Sequence, residues 1–413
     1  MDGLLHLFDG HGVELEYMIV DRNTLSVLPV ADEVIRAITG RYQSDAEVGE
    51  LTWSNELVLH VIELKTSQPA PSLAPLADAF RREVRHVNEI LEAIGGRLMP
   101  TAMHPWMDPS RETRLWPHDF SPVYDAFNRI FDCRGHGWSN VQCVHLNLPF
   151  ANEEEFGRLH AAIRILLPIL PALAASSPLM GGRATGFMDT RLDEYRTNSR
   201  RVPSVSGRVI PEPAFDYHDY HEEILAPMYR DIAPLDPTGI LQEEWLNARG
   251  AIARFDRGAI EIRLLDIQEC PSADVALLAA IVAVLKALVA ERWVSYERQR
   301  AWAVGPLEAI LLSTIREGDA SGITDDDYLG LFGMRGLGSC TAGQLWAHIV
   351  ESSFDEIRLQ APEQVHQLQT ILENGCLARR ILAAFRTERS ADPVAAIYRR
   401  LCECLADDAL FLP

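Results

Sequence analysis

The feature that most constrains the fold lies in HGVELEYMIV, at residues 11–20, where Glu14 and Glu16 alternate with Val13, Leu15 and Tyr17. Successive side chains of a β-strand point to opposite faces, so Glu14 and Glu16 share one face and the apolar residues between them share the other. Buried carboxylates are costly unless something offsets their charge. The segment therefore predicts a strand that either is half-exposed or uses its two carboxylates to hold a cation.

The same period of two recurs later in the chain, separated by segments with helical spacing. Alternation is evident in ELVLHVIEL at 56–64, NVQCVHLNLPF at 140–150 and GAIEIRLLDIQ at 258–268. Apolar residues follow a helical spacing at 76–94, 153–170 and 275–290, and the sequence after about 300 indicates helices and turns. This order predicts an α+β fold, with a catalytic domain at 1–298 and a helical C-terminal region at 299–413 packed on the same body.

Two of these later strands also bring polar side chains to one face. Glu261 and Arg263 share a face, which is typical of an ion pair within a strand or of a functional site. Cys143, His145 and Asn147 share another face. A single histidine on a strand is either a hydrogen-bonded structural residue or a ligand, and the sequence alone leaves both interpretations open.

A further polar set lies in SNELVLHVIELKT, which carries Glu56, His60 and Glu63 among apolar residues. Glu56 and Glu63 would lie on opposite faces of one regular strand, so either a bulge redirects one of them or only one reaches a shared site. Carboxylates together with a histidine suit Mg²⁺ or Mn²⁺ better than zinc.

Composition limits the partners that this 413-residue chain can bind. A formal net charge of −21 argues against nucleic acid and anionic membranes, because both are bound through positive potential. Lys65 and Lys286 are the only lysines, and no GxxxxGK[ST] string occurs, so any use of ATP would rely on arginines and metal. The oligomeric state stays open, and a homo-oligomer is compatible with the sequence.

Cysteine usage and apolar stretches predict a location. The seven cysteines form no CxxC pair, and no hydrophobic signal sequence leads the chain, which together predict a reducing, cytoplasmic environment. The most apolar stretch, at 275–290, is too short before Lys286 for a membrane span, and three prolines interrupt residues 165–180. Both stretches predict buried helices.

The chain resembles the glutamate-cysteine ligase family 2, whose carboxylate-amine ligases are related in fold to glutamine synthetase and the guanidino kinases. The resemblance runs in order through GVELEYMIV, NELVLHVIELKT, PTAMHPW, NVQCVHLNLPF, LAASSPLMGGRATGFMDTR and GAIEIRLLDIQ. It implies a curved antiparallel sheet flanked by helices, followed by the helical C-terminal region.

The resemblance also implies a site for ATP and divalent metal, Mg²⁺ or Mn²⁺. By position, the implied metal ligands are Glu14, Glu16, Glu56, Glu63, His145 and Glu261. Arg263 resembles the arginine that contacts phosphate or substrate, and we assign catalytic roles to Arg263 and Glu261. Further candidates for nucleotide or substrate binding are Arg183, Arg191 and Arg196. The loop arginines Arg196, Arg200, Arg201 and Arg208 are candidates for a lid, and the alternative for each is a solvated loop residue.

The implied reaction is ATP-dependent amide formation through an acyl phosphate. A γ-glutamyl amide such as γ-glutamyl-cysteine is the expected product, and the partners are then ATP and small carboxylate and amine substrates. Two alternatives remain: a phosphotransferase similar to the guanidino kinases, and an inactive homologue that binds nucleotide. Thermal stability measured with and without Mg²⁺ and ATP would test the last alternative.

The central strand departs from the family pattern HVHVG, because this chain has CVHLN. Cys143 stands where the first histidine is expected, and Asn147 stands where the glycine is expected. We interpret Cys143 as a packing residue; the alternative is that it reshapes the pocket for the amine.

Overall fold

The computed structural model describes residues 4–413, and its centre is an eight-stranded antiparallel sheet. The path through the sheet is β2-β3-β4-β1-β6-β10-β9, and β5 pairs with β1 beyond the end of β4. The strands are β1 (Gly12–Asp21), β2 (Asp45–Val48), β3 (Leu51–Asn55), β4 (Val61–Thr66), β5 (Gly96–Met99), β6 (Cys143–Pro149), β7 (Leu179–Met180), β8 (Arg183–Ala184), β9 (Ala251–Arg254), β10 (Ala259–Asp266), β11 (Gly322–Ile323) and β12 (Cys340–Thr341). The last two and the β7–β8 pair form separate two-stranded sheets.

Helices flank this sheet and make up almost all of the chain after residue 270. They are α1 (Ala31–Thr39), α2 (Leu76–Glu92), α3 (Pro109–Glu112), α4 (Ser121–Phe131), α5 (His136–Ser139), α6 (Glu153–Leu166), α7 (Leu170–Ala174), α8 (Thr190–Tyr195), α9 (Tyr217–Tyr220), α10 (Ala226–Ile232), α11 (Pro271–Val289), α12 (Tyr296–Arg300), α13 (Val304–Glu317), α14 (Asp326–Gly330), α15 (Ala342–Ser352), α16 (Phe354–Gln360), α17 (Val365–Asn374), α18 (Leu377–Thr387) and α19 (Pro393–Asp407). The prediction of an α+β fold with an antiparallel sheet and a helical C-terminal region is confirmed.

The alternation in β1 divides its side chains between two environments. Its odd-numbered apolar residues, Val13 to Ile19, are fully buried in the main core together with residues of α2 and α11. On the opposite face, Met18 and Val20 pack in a second apolar cluster with residues of α18 and α19. Glu14 and Glu16 continue this second face beyond the apolar cluster, and they line a cavity.

The C-terminal helices are joined to the sheet by a buried ion pair, which we call the seam pair. Glu269, between β10 and α11, and Arg380, in α18, are essentially inaccessible to solvent and form a salt bridge. Arg380 also donates hydrogen bonds to the carbonyls of Phe411, at 2.9 Å, and Gly375, at 3.2 Å. The backbone N–H of Phe411 in turn donates to Glu269 Oε1, so the end of the chain is fixed against the sheet. The boundary at residue 298 stays a prediction.

Two helical stretches are long and apolar enough to cross a membrane by length and composition. These are Glu153–Ala174 and Pro271–Val289, and 94% and 89% of their apolar windows are buried inside the protein. Asn152 caps the first stretch by accepting a hydrogen bond from the Glu155 backbone N–H. Both are core helices, as the sequence predicted.

Candidate active site

The polar face of the sheet forms one wall of a cavity of about 610 Å³. The opposite wall comes from α4, α5, α8 and the segments that surround residue 246 and precede β10. The lining residues are Glu14, Glu16, Ser44, Asp45, Ser54, Asn55, Glu56, Leu57, Val58, Val61, Glu63, Lys65, Phe120, Tyr124, Phe127, Gly137, Trp138, Val141, Cys143, His145, Arg191, Tyr195, Asn198, Trp245, Leu246, Asn247, Ala248, Arg254, Arg257, Glu261 and Arg263.

Strand register brings the predicted metal ligands together on this wall. Pairing of β1 with β4 sets Glu16 opposite Glu63, and pairing of β1 with β6 sets Glu14 opposite His145. Residues directly opposite on one face of an antiparallel pair have Cβ atoms about 4.5–5.5 Å apart, so their side chains meet. Glu261 projects from β10, which pairs with the other edge of β6, and its Oε1 lies 3.7 Å from His145 Nδ1.

Glu56 and Glu63 reach the same cavity, although one regular strand would turn them apart. Glu56 lies outside regular strand structure, directly after β3, and Glu63 lies within β4. The intervening residues make the connection between the two antiparallel strands, so the chain reverses between the two carboxylates. Both sequence alternatives are therefore wrong: a hairpin, rather than a bulge, redirects Glu56. His60, in this connection, donates from Nε2 to the Ser139 carbonyl at 2.7 Å and does not line the cavity.

Three groups of potential metal ligands overlap on this wall. Within each group the ligand atoms all lie within 4.8 Å of one another. The groups are Glu16, Glu56 and Glu63; Glu14, Glu63 and His145; and Glu16, Cys143 and His145. The first group offers carboxylate oxygens alone, which are the ligands that Mg²⁺ and Mn²⁺ prefer, so these residues fit the divalent metal that the sequence predicted.

Cys143 and His145 are held in place by the acids of β1. Cys143 Sγ lies 3.0 Å from His145 Nε2 and 3.3 Å from Glu16 Oε2, and its backbone N–H donates to the same carboxylate at 2.9 Å. His145 Nδ1 is 2.8 Å from Glu14 Oε2, and Asn147 Nδ2 donates to the other oxygen of Glu14. The interpretation of Cys143 as a packing residue misses these contacts, which make the thiol part of the cavity wall.

Burial and like charges raise the pKa of part of this wall. Burial raises the pKa of Glu56 well above its usual range, and the neighbouring charges of Glu16 and Glu63 add to the effect. Burial likewise raises the pKa of Glu16. Burial alone would raise the pKa of Glu14 too, but the hydrogen bond with His145 and the charges of His145 and Lys65 together outweigh burial and lower this pKa. The Glu56 and Glu16 end of the wall therefore carries more negative charge than its own surroundings can stabilise.

The other end of the wall is balanced by cations. Burial would raise the pKa of Glu261, but the charges of Arg263 and His145 and the hydrogen bond from Arg263 together lower it to about 2. Arg263 and Glu261 also form a salt bridge. Lys65 Nζ donates to Glu63 Oε1 at 2.6 Å, and Ser54 donates to the same oxygen. Arg263 and Lys65 place two positive charges in the cavity beside the carboxylates.

The predicted arginines divide between this cavity and the rest of the surface. Arg191 lines the cavity, but its guanidinium is held by Asp266 Oδ1, at 2.5 Å, and by the Leu264 carbonyl, at 2.8 Å. Arg183 is exposed and lines a different, smaller depression, and Arg196 pairs with Asp193 outside the cavity. The lid candidates Arg200, Arg201 and Arg208 also lie outside the residues that line the cavity.

Sequence reasoning missed two cavity arginines near the β9–β10 hairpin. Arg254 ends β9 and is only 9% exposed, and Arg257 lies in the hairpin turn and is largely exposed. The buried Nε of Arg254 has no hydrogen-bond partner among the described residues. The sequence does contain a signal for both arginines, because RFDRG at 254–258 is a turn sequence just before the EIR triplet. A turn at this position predicts that its arginines lie close to Glu261 and Arg263.

The sequence analysis also missed an aromatic surface, which lies on the side of the cavity opposite the acidic wall. Phe127 of α4 packs against Trp138 of α5 and against Trp245, with ring centroids 5.4 and 5.9 Å apart. The indole N–H of Trp138 donates to the Asn198 carbonyl at 3.0 Å. Tyr124, one helical turn before Phe127, accepts a hydrogen bond from Asn55. These residues come from segments without a common motif, so nothing in the sequence pattern distinguishes them from ordinary core aromatics.

Comparisons with known proteins show the family to which the chain belongs. The sequence profile described as glutamate-cysteine ligase family 2 matches residues 11–403. A protein of Archaeoglobus fulgidus without an assigned function is 37% identical over 280 residues, which are 68% of this chain and 75% of that protein. A protein of Salinispora arenicola provisionally named glutamate–cysteine ligase 2 is 28% identical over 284 residues, which are 68% of this chain and 66% of that protein.

Two solved structures share the fold. A glutamate–cysteine ligase from Francisella tularensis, solved in complex with AMP, has a TM-score of 0.59 at 12% identity and covers 96% of this chain and 88% of its own. A bifunctional glutathione synthetase from Pasteurella multocida has a TM-score of 0.62 at 13% identity, and this chain spans 53% of its length. Because the family profile covers nearly the whole chain, and the fold agrees, the chain belongs to glutamate-cysteine ligase family 2, a family of carboxylate-amine ligases.

Proposed function

We propose that this protein is an ATP-dependent ligase that joins a carboxylate to an amine through an acyl phosphate. The observation that carries the proposal is the overlap of three ligand groups on one cavity wall, with Lys65 and Arg263 in the same cavity. Phosphoryl transfer needs cations around the transferred group and fixed donors where charge develops, and this wall offers residues for both purposes.

The wall acids have a defined task in this proposal. Glu14, Glu16, Glu56 and Glu63, with His145, would hold Mg²⁺ or Mn²⁺, and the bound metal would supply positive charge beside the phosphates of ATP. The raised pKa values of Glu16 and Glu56 reflect the cost of burial and the repulsion between neighbouring carboxylates. A divalent cation would relieve that repulsion, which favours binding of metal together with nucleotide.

Arg263 and Glu261 act as a unit in the transfer. An oxygen of the substrate carboxylate attacks the γ-phosphorus of ATP, the bond to the ADP oxygen breaks, and an acyl phosphate forms. Arg263 donates hydrogen bonds to the oxygens on which charge develops, and Glu261 fixes the orientation of its guanidinium through their salt bridge. Arg191 is held by Asp266, so it contributes positive charge to the cavity with little freedom to move.

The second step needs no covalent bond to the protein. The amine nitrogen attacks the acyl carbon, inorganic phosphate leaves with the bonding pair, and the nitrogen loses a proton to give the amide. The names of the Salinispora and Francisella relatives suggest glutamate as the carboxylate and cysteine as the amine. We propose a γ-glutamyl amide as product, with γ-glutamyl-cysteine as the first compound to test.

The proposal is tested by incubating the purified protein with ATP, Mg²⁺ and panels of carboxylates and amines. We expect release of ADP that depends on both the carboxylate and the amine, together with an amide detected by mass spectrometry. A phosphorylated carboxylate or guanidino compound without any amide would assign a phosphotransferase instead. If no pair releases ADP, although Mg²⁺ and ATP raise the melting temperature, the chain binds nucleotide without turnover.

A further inference from the structure

One ligand group on the cavity wall differs in chemistry from the other two. Glu16, Cys143 and His145 combine a carboxylate, a thiol and an imidazole, and all three residues are buried and line the cavity. We propose that these three residues form a binding site for a thiophilic divalent metal, Zn²⁺ in particular, that discriminates against Mg²⁺. The inference does not depend on the proposed ligase activity.

The spacing of the three donor atoms fits one small ion. One ligand atom from each residue lies within 4.8 Å of the other two. Cys143 Sγ is 3.0 Å from His145 Nε2, and the two oxygens of Glu16 lie 3.3 Å from Sγ (Oε2) and 3.9 Å from Nε2 (Oε1). Ligands at about 2.0–2.3 Å from a tetrahedral Zn²⁺ lie roughly 3.5 Å from one another. The three atoms could therefore bind a common ion after side-chain shifts of a few tenths of an ångström.

The surroundings of His145 already orient it as a ligand. Its Nδ1 is hydrogen-bonded to Glu14 Oε2 at 2.8 Å, and Glu14 is itself held by Asn147 Nδ2 at 3.0 Å. A hydrogen bond from Nδ1–H to a carboxylate leaves Nε2 as the metal-binding nitrogen, and Nε2 is the atom that faces Cys143. Glu14 thus orients the imidazole by a hydrogen bond to Nδ1, the nitrogen that would not bind the metal, as carboxylates do for histidine ligands of zinc.

Ligand type sets the selectivity between the neighbouring groups. A thiolate is a soft ligand that Zn²⁺ accepts readily, whereas Mg²⁺ selects oxygen. The all-carboxylate group, Glu16, Glu56 and Glu63, therefore suits Mg²⁺, and the group that contains Cys143 suits Zn²⁺. Glu16 belongs to both groups, so its carboxylate could bridge two unlike ions.

Binding of the ion is an exchange of cation for protons without any redox step. The metal forms bonds to Sγ, Nε2 and a carboxylate oxygen, and the protons held by these groups pass to solvent. Three protein ligands leave a fourth position of a tetrahedral ion open, as in catalytic zinc sites. Because all three residues line the cavity, that open position would face the cavity.

The site is tested first with Co²⁺, a spectroscopic substitute for Zn²⁺. Adding one equivalent of Co²⁺ to the wild-type protein should produce a near-ultraviolet thiolate-to-metal absorption that Zn²⁺ abolishes and excess Mg²⁺ does not. Cys143→His, which introduces the residue of the family pattern, should remove this absorption. The matched control is Cys133→Ala, which removes another buried cysteine that does not line the cavity and should keep the absorption.

A measurement on the wild-type protein tests the site without relying on variants that could misfold. Zinc X-ray absorption of the wild-type protein with one equivalent of Zn²⁺ should show one sulfur ligand at about 2.3 Å among nitrogen and oxygen ligands. A shell of nitrogen and oxygen alone would overturn the proposal. So would a Co²⁺ absorption that persists in Cys143→His or that Mg²⁺ removes.

Discussion

Two buried charged regions of this protein differ in how completely their charges are matched. At the seam pair, all three guanidinium nitrogens of Arg380 have acceptors, and Glu269 accepts from both Arg380 and the Phe411 N–H. On the cavity wall, Glu56 forms no ion pair with any described residue, and burial together with Glu16 raises its pKa. The charges of the seam pair are matched, whereas the Glu56 and Glu16 end of the cavity wall has no arginine or lysine paired with it among the described residues.

The contrast separates structural charges from binding charges. A buried ion pair with all its hydrogen bonds made keeps the chain in one arrangement, and removing one partner leaves an unmatched charge. A half-buried acid without an ion-pair partner, such as Glu56, has an unfavourable charge that a bound cation would stabilise. Under the proposed function, glutamate therefore serves folding at position 269 and metal binding at position 56.

The largest expected effect is a loss of stability when one partner of the seam pair is removed. Arg380→Met would leave Glu269 buried without a partner, and we expect a loss of about 3–5 kcal/mol in the free energy of unfolding, measured by urea denaturation. Arg379→Met is the matched control, because Arg379 is the adjacent, partly exposed residue of α18 and pairs with Asp319. Its loss should be no more than about 1 kcal/mol.

The double variant Arg380→Met/Glu269→Leu extends this prediction. Removing both charges should recover much of the stability lost in the single variant, because no unmatched charge remains. If Arg380→Met and Arg379→Met lost the same free energy of unfolding, the seam pair would not stabilise the fold more than a surface ion pair does.

Removing one carboxylate from the cavity wall should lower the activity without lowering the stability. Glu56→Gln resembles the protonated side chain that the raised pKa favours, so the free energy of unfolding at neutral pH should be unchanged or slightly higher. With one carboxylate ligand lost, we expect kcat/KM to fall at least about 100-fold, equivalent to about 2.7 kcal/mol. Steady-state kinetics of ADP release measures this change.

Glu47→Gln is the matched control for the wall. Glu47 is an exposed acid on β2 outside the cavity, so its amide variant should keep both activity and stability. Full activity in Glu56→Gln, or loss of its near-ultraviolet circular dichroism, would contradict the division between wall and seam.

The smallest expected effect is a pH dependence that belongs to neither charged region. Burial, followed by the charge of Arg164, lowers the pKa of His160 to about 3, below its usual value near 6.5. Between these values the unfolded chain binds more protons than the folded protein, so stability falls as pH drops below about 6.5. From pH 7 to pH 5.5 the contribution is roughly 1 kcal/mol.

His160→Asn isolates this contribution. An amide at this position can still donate to the Ala214 carbonyl, which His160 Nδ1 contacts at 2.6 Å, but it does not titrate. The difference in unfolding free energy between wild-type protein and variant should therefore change by roughly 1 kcal/mol over that pH interval. A constant difference would show that His160 does not carry this pH dependence.

The sequence predicts the features that depend on neighbouring residues better than those that depend on contacts between distant segments. Alternation within one strand sufficed for Glu14, Glu16 and His145, because period two fixes which face each side chain takes. The placement of Glu56 failed, because the turn after β3 has no Gly or Pro signal and the apolar run continues through it. The aromatic surface of Phe127, Trp138 and Trp245 depends on contacts between distant segments, which no local pattern encodes.

The alternation of β1 also determines which changes of length this chain could tolerate. One face of β1 supplies both Glu14 and Glu16 to the cavity and Met18 to the cluster beneath α18 and α19. Inserting or deleting a single residue before Glu14 would reverse the faces of the strand, turning carboxylates into the main core and Leu15 into the cavity. Insertions should thus be rejected within β1 and accepted in the exposed connection at 388–392 between α18 and α19, so homologues that keep this site should vary in the length of that connection but not in β1.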